Sequence, residues 1–423
     1  MAAVADSALR RNVACPFCGL ACDDLTVAAT PERVSVREAG CRLSREGFER
    51  APPAKTPRIA GQEATLDEAV ARAADILRNS RQPLFAGLAT DVAGLRAAIQ
   101  LAERTGGIVD HLGADGFFRN LRVVQDSGWM TTTLSEVRNR ADLLLIVGPD
   151  PTPQFPRFFE RCVAPRQTLF AESRQPPPVV RIGPAQTGDV IAARQLVCDL
   201  DRLPEAIVAL RCLLGGRSVA AAEIAGLATQ ELSALAEQLK AARYGVVTWM
   251  AGAFDFAGAA LLTQALADLV RDVNQVTRCA ALPLTGSENV MGAHQVCSWQ
   301  SGLPLRTSFA GGAPAHDPLL YDTARLLRDQ EVDALLWVSS FHPIAPPATR
   351  VPTIVLAAAP LRFERQPEVY IPVGTPGIDH AGEIFRSDGV VALPLAALRA
   401  SGRPSAADAL DRIERAMNAG GAA

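Results

Sequence analysis

Hydrophobic and polar positions alternate between helical and strand periods along most of the chain. Thr65 and Glu68 form a capping box ahead of apolar residues at helical spacing over 66–77, which predicts a helix. The short apolar run 83–87 then predicts a strand, and 92–104 and 106–110 predict a further helix and strand. Strands that alternate with helices are typical of βα units in a parallel sheet.

The same alternation continues beyond residue 140. The run 143–148 is continuously apolar, as expected for a strand covered on both faces of a parallel sheet. The predicted fold class is α/β with doubly wound parallel sheets, whose ligand sites would lie at the carboxyl ends of the strands. Further helices are predicted at 231–241 and 256–270, and further strands at 244–250, 280–284, 334–340, 353–357 and 368–373.

The first 60 residues have a different, turn-rich pattern. Alternating segments at 24–29 and 33–38 predict a hairpin, and a proline-rich exit follows. A unit of this size needs a staple to fold well. The expected organisation is therefore a small N-terminal four-cysteine β lobe at 1–60 and two α/β regions. These regions span 61–240 and 241–400, ahead of a C-terminal helix and frayed tail at 401–423.

Composition narrows the function. With 423 residues, 48% of them hydrophobic, the chain can bury more than one core, and a net charge of -3 argues against a nucleic-acid partner. Residues 1–14 have no apolar secretory segment, and no apolar run approaches the roughly 20 residues of a membrane span. We therefore expect a cytoplasmic protein without a membrane partner.

Four of the nine cysteines are clustered near the N-terminus. Cys15, Cys18 and Cys22 form a C-x2-C-x3-C triplet, and Cys41 follows the predicted hairpin. Thiolates are the soft ligands that iron-sulfur clusters and Zn²⁺ require, so these four residues are candidate metal ligands. The triplet favours a [4Fe-4S] cluster, while zinc and uncoordinated thiols remain open alternatives.

The remaining candidate residues lack a catalytic pattern. The other five cysteines are scattered and are expected in the core: Cys162, Cys198, Cys212, Cys279 and Cys297. The histidines show no metal-binding spacing: His111, His294, His316, His342 and His380. No serine-hydrolase elbow, P-loop or dinucleotide-binding glycine motif is present.

Several of these segments resemble one family in the same order. They are the cysteine motif at 15–25 with Cys41-Arg42, the stretch 139–142 ahead of the apolar strand, and the segments 295–302 and 309–312. All resemble the B-type subunit of formylmethanofuran dehydrogenase, a member of the molybdopterin oxidoreductase superfamily. The resemblance implies a molybdopterin-oxidoreductase-like fold. It also implies a [4Fe-4S] cluster on the N-terminal cysteines and a tungsten or molybdenum pterin that interconverts CO2 and formate.

One departure from the family pattern changes the expected function. The metal-ligating cysteine of the redox-active subunit corresponds to Gly116, followed by Phe117, and the turn expected after it reads Gln125 to Gly128. A glycine offers no ligand, so no tungsten or molybdenum pterin is expected. We expect Phe117 and Phe118 to fill the metal site, with Cys297 as the remaining thiol that could replace the ligand.

A chain with this loss is similar to the B-type subunit of the bacterial formyltransferase/hydrolase complex of methylotrophs. The resemblance implies a redox-silent scaffold without catalytic residues. It implies as partners a formyltransferase subunit, an amidohydrolase-like subunit and a C-type subunit. These would convert formyl-tetrahydromethanopterin to formate through methylofuran, a formylmethanofuran-type carrier, in formaldehyde oxidation. The alternatives are an active tungsten or molybdenum dehydrogenase subunit and an iron-sulfur electron-transfer subunit.

Overall fold

The computed structural model describes residues 8–52, 55–164, 175–186 and 194–419. These residues form two compact units. One unit combines the chain up to Ala114 with the chain from Gly286 onward, and the other comprises Asp115–Thr285. The first unit is discontinuous, so this division cuts across the linear segments expected from the sequence.

Eleven α-helices lie in the described residues. In chain order they are α1 (Arg42–Phe48), α2 (Leu66–Asn79), α3 (Val92–Thr105), α4 (Ala114–Ser127), α5 (Leu134–Arg140), α6 (Leu203–Leu214), α7 (Thr229–Ala241), α8 (Ala259–Val273), α9 (Val290–Ser301), α10 (Thr323–Arg328) and α11 (Ala406–Ala419). Within the described part of the chain, none of the helices has the length and apolar character needed to cross a membrane.

The described strands form sheets of two to nine members. The strands of the first half are β1 (Ala8–Val13), β2 (Leu25–Ala29), β3 (Val34–Glu38), β4 (Arg58–Ile59), β5 (Gln62–Glu63), β6 (Pro83–Ala89), β7 (Ile108–Val109), β8 (Leu143–Val147), β9 (Val179–Gly183) and β10 (Arg194–Val197). Those of the second half are β11 (Glu223–Ile224), β12 (Leu227–Ala228), β13 (Gly245–Trp249), β14 (Cys279–Pro283), β15 (Thr307–Ser308), β16 (Ala315–His316), β17 (Ala334–Ser339), β18 (Thr353–Ala357), β19 (Val369–Pro372), β20 (Gly382–Phe385) and β21 (Ala392–Leu395).

The first unit contains a nine-stranded sheet in the order β16-β15-β7-β6-β17-β18-β19-β4-β5. Its five central strands, from β7 to β19, run parallel, and the strands at both edges are antiparallel. Strands β6 and β17 are buried along their whole length, which explains their unbroken apolar sequences. The predicted strands of this sheet are confirmed.

The second unit contains a five-stranded, fully parallel sheet in the order β10-β9-β8-β13-β14. The chain leaves β8 toward one edge and returns to β13 on the other side, so the strand order reverses between these two strands. In doubly wound folds such a switch point is where a ligand normally binds. Buried apolar residues of α6, α7 and α8 belong to the hydrophobic core of this unit.

The N-terminal segment forms a separate three-stranded antiparallel sheet, β1-β2-β3. The predicted hairpin is confirmed as β2 and β3, in which Val27 pairs with Val36. Strand β1 was not predicted, because its residues are largely polar or charged and all but Val13 are exposed. The turn predicted at 125–128 is wrong in its first three residues, which end α4, while Gly128 follows with a φ of 63°.

Candidate functional site

Three of the candidate ligands lie in the loop between β1 and β2. Cys15, Cys18 and Cys22 are buried there, and the loop closes on itself because the Cys15 amide donates to the Cys22 carbonyl at 2.8 Å. Cys41 lies directly before α1. After burial, which is the larger cause, the charges of the other three sulfur atoms each raise the pKa of Cys15. The structure therefore brings the four predicted residues into one neighbourhood.

Burial dominates the protonation of these thiols. It raises the pKa of Cys15 well above its ordinary value and that of Cys18 to about 12, with a further increase from Cys22 in the case of Cys18. A thiolate would carry its charge in a medium that solvates it poorly. Without a metal, Cys15 and Cys18 therefore remain neutral thiols near pH 7.

Cys41 has a second task as the N-cap of α1. Its sulfur accepts a hydrogen bond from the Ser44 amide at 3.5 Å, and the Ser44 hydroxyl accepts one from the Cys41 amide at 2.8 Å. In the described part of the chain, no group of three or more His, Cys, Asp or Glu side chains is arranged to hold a metal ion. The four thiols thus suit a thiolate-binding metal in chemistry but not in arrangement, so we assign no step to a metal.

Phe17 fixes the position of the cysteine loop. Its fully buried ring packs edge-on against Phe48 and His342, at centroid distances of 5.2 and 5.6 Å. It also lies so close to α1 that a Cβ at Gly47 would be 2.4 Å from the ring. The loop is therefore held by an apolar anchor as well as by its own hydrogen bond.

A buried polar group lies behind this anchor. The Glu288 carboxylate is 2% exposed, forms an ion pair with His342 and interacts electrostatically with Arg50. The backbone carbonyl of Glu288 is 3.0 Å from Nε2 of His111, whose Nδ1 accepts from the Gly113 amide at 2.9 Å. Burial lowers the pKa of His111 to about 4, so this imidazole is neutral and donates through Nε2.

Sequence reasoning did not identify the Glu288 group. Glu288 and Asn289 both have positive φ angles, near 59° and 56°, in the turn before α9. The Asn289 side chain bridges two segments, donating to the Thr90 carbonyl and accepting from the Phe385 amide, each at 2.9 Å. Asparagine tolerates this conformation well, but an isolated Glu-Asn pair gives no recognisable sequence signal.

Gly116, the position of the missing metal ligand, lies in α4 and is closed off by main chain. A Cβ at this residue would lie 2.6 Å from the Gly252 nitrogen and 2.7 Å from its Cα. The same helix holds this turn through Arg119, which donates to the Ala251 carbonyl at 2.7 Å, and through Asn120, which accepts from the Trp249 indole at 3.0 Å. No side chain at residue 116 can point into an open cavity without moving this backbone.

The aromatic rings near this position are arranged differently from the expectation. Phe118 is buried and Phe117 is half-buried, with their ring centroids 5.9 Å apart. The ring that occupies the switch point between β8 and β13 is the fully buried Phe254. Its Cε1 atom is 2.8 Å from where a Cβ of Gly148 would stand. The crevice where the doubly wound fold would place a ligand is thus occupied by a side chain of the chain itself.

The corresponding edge of the first unit's sheet is also packed with apolar side chains. Ala89 ends β6 and Phe341 follows β17, and both belong to one buried cluster. Its other buried members come from the cysteine loop and from the β20-β21 hairpin: Ala14, Ala21, Ile384 and Leu395. The carboxyl ends of β6 and β17 are therefore covered by the cysteine loop and the hairpin.

The scattered cysteines lie where free thiols commonly lie. Four of them are buried and Cys212 is half-buried. Cys297, on α9, has a pKa raised to about 11 chiefly by burial, and its sulfur is 3.6 Å from the Ser301 hydroxyl. These surroundings are those of a packed core thiol.

Comparisons with known proteins identify the relatives of this chain. No family model matches it. It is 32% identical to the B-type subunit of the formyltransferase/hydrolase complex Fhc of Methylorubrum extorquens, over 79% of this chain and 89% of that protein. It is 26% identical to the B-type subunit of the tungsten-containing formylmethanofuran dehydrogenase 2 of Methanocaldococcus jannaschii, over 90% of this chain and 92% of that protein.

Solved structures agree with these relatives. A chain of the Methylorubrum extorquens formyltransferase/hydrolase complex FhcABCD, determined with methylofuran, matches with a TM-score of 0.76 and 29% identity, over 87% of this chain and all of that chain. Acetylene hydratase from Pelobacter acetylenicus matches with a TM-score of 0.57 and 9% identity, over 97% of this chain and 69% of that one, which shows a shared fold alone. The chain therefore belongs to the family that comprises the B-type subunits of formylmethanofuran dehydrogenase and of the formyltransferase/hydrolase complex.

Proposed function

We propose that this chain is a non-catalytic, redox-silent subunit of a formyltransferase/hydrolase complex. The complex would convert formyl-tetrahydromethanopterin to formate through methylofuran during formaldehyde oxidation in the cytoplasm. The observation that carries the proposal is the contact of Gly116 with the Gly252 backbone, which leaves no room for a metal-ligating side chain. Membership of the B-type subunit family supplies the biochemical setting.

Packing supports the loss of a pterin cofactor. An empty cavity costs on the order of 24 cal/mol per Å³, so a void of about 300 Å³, the lower size of ligand pockets, would cost about 7 kcal/mol. Phe254 in one unit and Phe341 in the other remove such voids at the strand ends. A molybdopterin-type fold can therefore persist without its cofactor.

The catalytic work is assigned to the partners. We propose a formyltransferase subunit, an amidohydrolase-like subunit and a C-type subunit, which would together use methylofuran. The Methylorubrum relative of this chain is named as a subunit of such a complex. In this chain His111 is neutral, and Cys15 and Cys18 are held as neutral thiols by burial, so these groups are poorly suited to act as an acid or a nucleophile.

The four N-terminal cysteines remain candidate ligands of a [4Fe-4S] cluster or zinc. The proposal does not depend on the outcome, because a cluster without a redox centre in reach would serve as a staple for the small β1-β2-β3 sheet. Iron, sulfide and zinc analysis of anaerobically purified chain tests this assignment directly.

The functional test compares assembled complexes. The chain is co-expressed with the three partner subunits, and a matched preparation omits it. We expect the four-subunit complex to transfer and hydrolyse the formyl group, to contain less than about 0.1 tungsten or molybdenum per complex, on the order of trace contamination, and to lack dye-linked formate oxidation. We expect the preparation without this chain to lose assembly and activity together.

Two outcomes would contradict the proposal. Stoichiometric tungsten or molybdenum with formate oxidation would identify an active dehydrogenase subunit. Full formyl transfer and hydrolysis by a stable complex that lacks this chain would remove the scaffold role.

A further inference from the structure

A small pocket opens at the edge of the nine-stranded sheet, in the first unit and away from the cysteine loop. Its volume is about 120 Å³. Its walls come from the loop between β18 and β19 and from the start of β4, and most are apolar. The rings of Phe363 and Tyr370 meet edge-on at 5.9 Å, and Pro360 and Pro367 line the pocket beside them. Aromatic and proline walls of this kind suit a compact apolar side chain.

A cation stands at the rim. Arg58 on β4 is the direct cross-strand partner of Tyr370, and Arg58 and Arg403 both lower the pKa of this tyrosine, against the larger increase caused by burial. The Arg58 guanidinium has no hydrogen-bond or ion-pair partner among the described residues. Glu63, its neighbour across β5, is exposed and forms no ion pair with it. The rim can therefore accept a carboxylate from outside.

The size and position of the pocket indicate what would occupy it. Ligand pockets for cofactors and drug-sized molecules measure about 300 to 1,000 Å³, whereas a cavity of about 150 Å³ holds one benzene ring. The pocket adjoins β5, the outermost strand of its sheet. Gly61, at its rim, has a φ of 82° and open space where a Cβ would stand, so another backbone can approach closely. These features fit one side chain of another polypeptide.

We propose that this pocket, called here the Arg58 pocket, docks a segment of a partner subunit that inserts one apolar ring side chain and presents a neighbouring carboxylate to Arg58. The identity of the partner as a subunit of the complex rests on the proposed function. The binding chemistry does not, because it depends on the pocket alone.

The test is a ¹⁹F NMR titration of the purified full-length chain. The probe is the peptide acetyl-Glu-(4-fluoro-Phe)-Gly-amide, with the Gln analogue as its neutral counterpart. We expect wild type to bind the acidic probe about threefold more tightly than the neutral one, which corresponds to one exposed charge pair. Arg58→Gln should remove this preference. Arg96→Gln, which removes another exposed charge, on α3, should keep it.

A second variant tests the ring position. Gln366 lines the pocket and is exposed, so Gln366→Trp should fill the cavity without disturbing the core and should abolish binding of both probes. Failure of wild type to bind either peptide, or equal binding by Gln366→Trp, would overturn the proposal. Tighter binding of free 4-fluorophenylacetate than of the peptide would assign the pocket to a small molecule and overturn the partner assignment.

The assembled complex separates this proposal from the proposed function. A photo-crosslinking residue at position 366 should capture a partner-subunit peptide that contains a ring residue next to an acid, and Arg58→Gln should reduce the yield. Crosslinks confined to this chain would overturn the docking proposal while leaving complex assembly intact. Peptide binding without any complex formation would instead contradict the proposed function.

Discussion

The contact between Gly116 and Gly252 can be tested by adding a single carbon atom. In Gly116→Ala the new Cβ would stand 2.6 Å from the Gly252 nitrogen and 2.7 Å from its Cα, distances at which backbone must move. The reverse substitution is a matched control. In Gly252→Ala the new Cβ would meet Gly116 Cα at 3.8 Å, an ordinary contact. Two glycines that face each other thus differ in their tolerance of the same methyl group.

The magnitude is a balance of two effects. Overpacking in a well-packed region costs about 1 to 3 kcal/mol, and both close contacts here are with backbone, which yields less than a flexible side chain. Alanine inside a helix gains about 1 kcal/mol over glycine. The expected net result for Gly116→Ala is a loss of about 1 to 2 kcal/mol in the free energy of unfolding, since both contacts fall in the costlier half of that range. Gly252→Ala should change it by less than about 0.5 kcal/mol.

Urea denaturation followed by tryptophan fluorescence reports on this region, because the indole of Trp249 donates to Asn120 on the same helix as Gly116. The midpoint and slope of each variant give its free energy of unfolding. If Gly116→Ala is more stable than wild type by the gain usual for a helix, the close contact does not exist. Gly116→Cys should be destabilised too and should acquire no tungsten or molybdenum when expressed with either metal.

Three further predictions concern the first unit. Cys41→Ser should keep the helix cap and the stability of the chain, whereas Cys41→Ala should lose about 1 kcal/mol; equal losses together with released iron or zinc would show that Cys41 is a metal ligand instead. His111 is protonated near pH 6.5 when unfolded and near pH 4 when folded, so the unfolded state binds more protons in this window and stability falls as pH decreases through it, by up to about 3 kcal/mol. His111→Gln should flatten this part of the stability profile in denaturation measured from pH 7 to 4, and an unchanged slope would contradict the neutral, buried imidazole. Phe17→Ala should cost about 3 to 5 kcal/mol and loosen the cysteine loop, seen as faster thiol labelling than in wild type; equal labelling rates would show that the ring is not its anchor.

Long apolar runs made much of the fold predictable. Segments such as 143–148 and 334–340 are buried on both faces, so their sequences carry a signal that neighbouring residues hardly alter. Strand β1 could not be predicted, because its pairing with β2 holds an exposed and mostly polar segment in place. Edge strands of this kind depend on a partner strand, and no property of their own residues identifies them.

The candidate site was predictable in its residues but not in its packing. The absence of a ligand at Gly116 is visible in the sequence through the family pattern, and the structure adds the reason that the position stays closed. That reason lies in Gly252, which is 136 positions away along the chain (252 minus 116) and has no sequence feature that connects it with Gly116. Phe117 was expected to fill the site because it is adjacent in sequence, whereas the ring at the switch point is Phe254.

The origin of the filling side chains bears on how such a fold can lose its cofactor. Phe254 and Phe341 both lie in the segments that directly follow parallel strands, β13 and β17, and these are the loops that would otherwise surround a ligand. A loop can change its side chains and course without disturbing the strand before it, because its residues are constrained mainly by their own local contacts. Loss of the ligand residue on α4 would then need compensation in the strand-end loops rather than in the sheets. On this account, Phe254→Ala should open a cavity at the switch point and destabilise the second unit by about 3 to 5 kcal/mol without restoring any metal binding, because Gly116 would still lack a ligand. A stable Phe254→Ala variant would show that another group closes the crevice.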